Sequence, residues 1–152
     1  MPKVVVIYHS QQFGNTKILA EAVAEGAREA GADVNLINTN ERRINQEDFL
    51  CVDGVAIGSP DYFSYVAGTV KSFFDDLYLW DQSGKRVKGK PAVLFFSCGG
   101  GGKVNQPLEA LAQRFFKQVG KTVGCSRPIT DEAKKECRAL GQELVKNLRP
   151  TA

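Results

Sequence analysis

The chain is poor in the residues that build metal and thiol centres. It has one histidine, His9, and four cysteines (Cys51, Cys98, Cys125, Cys137) set far apart, with no Cys-x-x-Cys pair. That spacing argues against a zinc site, an iron–sulfur cluster and a disulfide framework, so no metal is expected. Long apolar runs are also missing. The opening Val4–Ile7 run is cut short by Tyr8-His9-Ser10 and lacks the length and cleavage pattern of a secretory leader. A cytoplasmic protein with no membrane span is the expectation. Nor is there an excess of one charge: the formal net charge is +3 over 152 residues. The one basic cluster, Lys85, Arg86, Lys88 and Lys90, reads as a solvated turn, and no basic stripe interleaved with aromatics suggests nucleic acid.

What is present is strand and helix in alternation, within the length of a single domain spanning 1–152. Val4–Tyr8 and Ala92–Phe96 are apolar throughout, the pattern of strands buried on both faces. Val34–Ile37 and Gly54–Gly58 supply two more strands, and Lys121–Val123 a short fifth. Helical spacing links Ile18, Leu19, Ala22, Val23, Ala27 and Ala30, with Gly31 as the stop. It recurs through Gln46–Leu50, through Val70, Phe73, Phe74 and Leu77, and from Leu108 to Val119. Thr130 is placed to cap a last helix whose inner face is Ala133, Cys137, Leu140, Leu144 and Leu148. This order predicts an α/β fold: a doubly wound parallel sheet of five strands with helices on both faces.

In such a sheet a ligand binds beyond the carboxyl ends of the strands, where the strand order reverses. Three segments meet that requirement. Ser10-Gln11-Gln12-Phe13-Gly14-Asn15-Thr16 joins the first strand to a helix and offers neutral hydrogen-bonding groups, a glycine for a close turn and a helix N-terminus. It suits a phosphate, and it equally suits a plain turn with Asn15 as N-cap. Neither a Gly-x-Gly-x-x-Gly fingerprint nor a P-loop is present, since Gly102-Lys103 is followed by Val104. Pro60-Asp61-Tyr62-Phe63-Ser64-Tyr65 puts three aromatics past a strand end, either to stack on a planar ring or to form a hydrophobic lid or interface. Ser97-Cys98-Gly99-Gly100-Gly101-Gly102 brings a glycine run to the same edge, for close approach to a flat ligand or as a mobile loop. No cation adjoins Cys98 in sequence, which weakens a redox role for its thiol. No side chain reads as a general acid or base, and His9 reads as a turn residue.

In order and spacing these three loops resemble the flavodoxin superfamily over essentially the whole chain. Ser10 with Gly14-Asn15-Thr16 matches its phosphate loop, and Gly58-Ser59-Pro60 through Phe63 to Gly68 and Phe74-Asp75 resembles the branch of NAD(P)H:quinone and FMN reductases. The resemblance implies strand order 2-1-3-4-5 and FMN as cofactor. Ser10, Gln12, Asn15 and Thr16 would then hold the phosphate, with Phe13 and Gly14 shaping the loop. Pro60, Asp61, Tyr62 and Phe63 would contact the isoalloxazine ring. Ser97, Cys98, Gly99, Gly100, Gly101 and Gly102 would line its pyrimidine edge and the ribityl chain. The resemblance admits two functions: an electron carrier docking on a redox partner protein, or an NAD(P)H-dependent quinone or FMN reductase, with a homo-oligomer compatible with either. The chain departs from the carriers in being slightly basic and in having no glycine within Ser59–Ser64 to answer the reduced flavin. It has little length for the segment that shapes a nicotinamide or quinone pocket. Loops without cations would disfavour an anionic reduced flavin and make it a stronger reductant.

Overall fold

The computed structural model describes residues 1–11 and 13–148. Its strands are β1 (Lys3–Tyr8), β2 (Asp33–Asn38), β3 (Gly54–Pro60), β4 (Pro91–Cys98), β5 (Lys117–Gln118) and β6 (Val123–Ser126). Its helices are α1 (Asn15–Glu29), α2 (Gln46–Leu50), α3 (Gly68–Gln82), α4 (Asn105–Gln113) and α5 (Asp131–Lys146). All strand pairings are parallel, in the order β2-β1-β3-β4-β5, with β6 also paired to β4.

Alternation along the central strands sorts side chains onto two faces. Val5, Ile7, Val55, Ile57, Ala92 and Leu94 face α2, α3 and α4, which contribute Phe49, Val70, Phe73, Leu77 and Leu108. Val4, Val6, Tyr8, Ala56, Val93 and Phe95 face α1 and α5, which contribute Leu19, Val23, Ala27, Cys137, Leu140 and Leu144. The phenylalanines of β4 need room beside them. Phe95 lies over Gly58 of β3 and Phe96 over Gly124 of β6; each glycine is the register partner of its ring. A Cβ on either glycine would come within 2.1 Å of that ring. Thr130 caps α5 as expected, accepting from Ala133 N–H at 3.1 Å.

The last edge differs from the sequence expectation. The strand expected at Lys121–Val123 begins instead at Val123, as β6, and an extra short strand, β5, precedes it where helix was expected. β5 pairs with Pro91 and Ala92, and β6 with Phe95–Cys98, further along the same edge of β4. Between them the chain swings out around Gly120 (φ 67°). The excursion is pinned where Gln118 Nε2 donates to Thr122 Oγ1, which itself donates to Glu109 Oε2 at 2.6 Å. The helix read as running to Val119 stops at Gln113, and Phe115 and Phe116 go into the core from the turn after it. Their apolar period continues a helix-like pattern without a helix.

Candidate functional site

The strand order reverses between β1 and β3, and a cleft with a cavity volume of about 230 Å³ opens beyond the carboxyl ends there. Four strand ends build it. After β1 come Ser10, Gln11, Phe13, Asn15 and Thr16; from the end of β3 come Pro60, Asp61 and Tyr62. β4 contributes Ser97, Cys98 and Gly99, and Arg127 lies just past β6.

The first wall is the entry to α1. The helix does not begin behind Asn15 as an N-cap; its cap is Gly14, at φ 68°, a conformation that glycine adopts freely. Gly14 has no side chain with which to cap this end. One first-turn amide, that of Lys17, reaches Ser10 Oγ at 3.3 Å. Ser10 itself is anchored to β2: its N–H donates to Asn38 Oδ1, and its carbonyl accepts from Asn38 Nδ2, both at 3.0 Å. The result is a helix N-terminus with partial positive charge and spare donors beside an anchored Ser10, a setting for an anion.

Thr16 and Ser97 tie this wall to β4. Their hydroxyls meet at 2.8 Å, and the residues are 2% and 4% exposed. Two hydroxyls carry two protons, and one bond uses one of them. The second remains available to a ligand in the cleft.

The second wall is a strained turn. Tyr62 and Tyr65 exchange backbone hydrogen bonds at 3.0 and 3.1 Å, with Phe63 (φ 57°) and Ser64 (φ 63°) between them. Two successive positive φ values define a type I′ turn, which favours Asn-Gly. Asp61 braces it: Oδ1 accepts from Ser64 N–H at 2.8 Å and Oδ2 from Val104 N–H at 3.3 Å, where the glycine loop runs into α4. The Asp61 N–H donates to Ser97 O at 2.9 Å. Asp61 thus holds the second and third loops in register. Tyr62 turns its ring to the cleft, and burial pushes its phenol above the usual value.

His9 lies behind the cleft, 4% exposed and edge-on to Tyr62. Its Nδ1 is hydrogen-bonded to Thr69 Oγ1 at 2.6 Å, and Thr69 Oγ1 to Thr39 Oγ1 at 2.7 Å. Its Nε2 lies 3.1 Å from Gln11 Oε1. Burial lowers the imidazole pKa, opposed by the hydrogen bond to Gln11.

Of the residues singled out in the sequence, Ser10, Phe13, Asn15, Thr16, Pro60, Asp61, Tyr62, Ser97, Cys98 and Gly99 share this cleft. Gly14 shapes it from behind as the helix cap. Phe63 does not line it: at the tip of the I′ turn its side chain is fully exposed. Gly100, Gly101 and Gly102 lead away from the wall towards α4, tightened by the Gly102 N–H on Gly100 O. Gln12 lies outside the described residues. Sequence reasoning missed Gln11 and Arg127. Arg127 was legible only from the true end of β6, three residues beyond the expected strand. It also corrects the electrostatic expectation: the three loops hold no cation on the cleft wall, but a fourth segment brings a guanidinium to it.

Among the described residues no cluster of His, Cys, Asp or Glu could hold a metal, and no helix is long and apolar enough to cross a membrane. The model of a family described as NADPH-dependent FMN reductase matches residues 46–133. A flavodoxin of Aquifex aeolicus is 36% identical over 95% of this chain and 85% of its own length. An NAD(P)H dehydrogenase (quinone) of Caulobacter vibrioides is 33% identical over 64% of this chain, and the match spans 57% of that protein. Among solved structures, a flavodoxin from the domain Archaea superposes with a TM-score of 0.82 at 22% identity, over 95% of this chain and 96% of that one. With fold, cleft and relatives in agreement, the chain belongs to the flavodoxin-like superfamily of FMN-binding redox proteins.

Proposed function

We propose that the chain is a single electron-transfer domain that holds FMN in this cleft. The observation that carries the reading is the N-terminus of α1, begun by Gly14 with no side-chain cap of its own, opening into the same space as Tyr62 and the Ser97–Gly99 backbone. The residues present fit the group. Ser10, Asn15 and Thr16, with the first-turn amides of α1, suit a phosphate. Tyr62 and Pro60 offer flat apolar surface to a ring, and the backbone at Ser97–Gly99 offers polar groups to its edge.

FMN, when bound, supplies one- or two-electron chemistry that no side chain here can perform. The protein's part is to bind, orient and exclude. Asp61 keeps the aromatic loop and the glycine loop at fixed separation, while the Thr16–Ser97 pair fixes the floor. Phe63, exposed beside the cleft mouth, suits contact with a redox partner protein. The four free cysteines suit a reducing, cytoplasmic setting.

A second reading, an NAD(P)H-dependent quinone or FMN reductase that works as a homo-oligomer, is favoured by the family match across both the second and third loops. The two separate experimentally. A carrier binds FMN, takes up electrons stepwise and passes them to a redox protein, without turning over NADH or NADPH with benzoquinone. Turnover above that of free FMN selects the reductase. Purified protein that is colourless and does not take up added FMN overturns both.

A further inference from the structure

Among the described residues Arg127 is the one cation that lines the cleft. Unlike Arg43 and Arg138, it has no carboxylate partner among the described residues. The one carboxylate on the cleft wall, Asp61, has both oxygens engaged by backbone amides. The guanidinium rests instead on an aromatic ring, 5.2 Å from the centroid of Phe13 in the phosphate loop.

Its path is defined by the fold. The Arg127 N–H donates to Cys98 O at 3.0 Å, which continues the β4–β6 ladder by one residue and starts the side chain at the cleft edge. The side chain then crosses Gly99, where a Cβ would lie 3.1 Å from Nη2. Gly99 thus leaves room for the guanidinium to reach the first loop. An arginine on an aromatic face keeps its fork of N–H donors largely unspent, whereas an ion pair would consume them.

Resting on the FMN reading above, we propose that Arg127 is the charge partner of the FMN phosphate. It would leave the Phe13 ring to form charge-assisted hydrogen bonds with phosphate oxygens held at the α1 N-terminus. The phosphate is the only part of FMN that is charged at neutral pH in the oxidised state. Lys17, the cation nearest in sequence, lies on the exposed face of α1 against Glu21 at 4.0 Å. The helix terminus and neutral loop supply partial charges, and the guanidinium supplies a whole one with bidentate geometry.

The test compares FMN with riboflavin, the same ring without the phosphate. Protein freed of flavin is titrated with each, by calorimetry or fluorescence quenching, as wild type, Arg127→Gln and Arg127→Lys. Arg127→Gln is expected to weaken FMN roughly tenfold or more, as loss of a charged hydrogen bond does, and to leave riboflavin within about twofold. Arg127→Lys should recover part of the FMN affinity, since the charge stays and the fork is lost. Added salt should weaken FMN binding more in wild type than in Arg127→Gln. Equal losses for FMN and riboflavin would mean that the guanidinium serves the ring, and would overturn the assignment, as would no loss at all. Wild type that binds neither flavin would remove the FMN reading and this inference with it.

Discussion

Replacing Thr16 by Val tests the floor of the cleft with almost no change of shape. Thr16 and Ser97 are buried and bonded to each other at 2.8 Å, so removing one hydroxyl strands the other. A buried polar group left without a partner costs about 1–3 kcal/mol. At about 2 kcal/mol the melting temperature of a chain this size falls by about 4–8 °C. Ser97→Ala should cost a similar amount for the same reason. The double variant Thr16→Val/Ser97→Ala leaves nothing stranded, so it should be more stable than the sum of the singles by about 1–2 kcal/mol. Flavin binding should not recover with it. The second proton of the pair is the one offered to the ligand, and the double variant has neither. FMN affinity is therefore expected to drop about tenfold in the double variant even as stability recovers. Thermal melts of the flavin-free proteins and FMN titrations measure the two quantities separately. Additive stability losses would refute the shared bond, and wild-type FMN affinity in the double variant would refute the spare donor.

Other consequences are more local. Phe63→Asn with Ser64→Gly should raise stability by about 1 kcal/mol or more, because it relieves two positive φ values in a turn where Phe63 buries nothing; a lower melting temperature would count against the strain. Gly141→Ala should destabilise by roughly 3 kcal/mol or more, since its Cβ would meet Val23 O at 2.1 Å where α1 and α5 cross; a denaturant midpoint like that of wild type would show that the helices can part cheaply. The sole histidine should titrate below 6.5, which nitrogen-15 NMR reads directly. Because the folded pKa is depressed, the unfolded chain binds more protons below 6.5. His9 therefore contributes stability above that pH and loses it as pH falls through the folded value. A pKa at or above 6.5 would overturn the burial argument.

The buried strands were readable because Val4–Tyr8 and Ala92–Phe96 are apolar on both faces, a pattern that only a covered parallel sheet explains. The cleft was readable from the segments after the strands: helix-entry polar groups, aromatics out of period and a glycine run. Edges and tips were not. Lys117–Gln118 is too short and too polar to register as a strand, yet it pairs because β4 presents a free edge to it. Phe63 was read as a ring contact from its type, whereas a backbone turn set by the mutual bonds of Tyr62 and Tyr65 decides where it points. Arg127 belonged to no motif. Its place at the cleft depends on a strand end that single-sequence patterning placed three residues too early, and on the space left over Gly99.

These observations together divide the cleft into a rigid side and a strained side. On the α1 and β4 side, Asn38 clamps Ser10, and Thr16 is bonded to Ser97, so the loop and hydroxyl donors proposed for a phosphate are fixed before a ligand arrives, and only the Arg127 side chain has to swing. Preorganised donors of this kind avoid the cost of ordering on binding. On the β3 side the I′ turn holds Phe63 and Ser64 in a region unfavourable to their side chains, stabilised by the Asp61 carboxylate on Ser64 N–H. A phosphate has the same charge whatever the redox state of its ring, so the part of the site proposed to bind it has no redox-linked reason to move. The ring does change charge and protonation as electrons come and go, and the loop beside it is the one held under strain. In a redox protein that division lets the cofactor stay bound while its surroundings adjust. Relieving the strain at Phe63 and Ser64 should therefore change the midpoint potential of bound FMN more than its affinity.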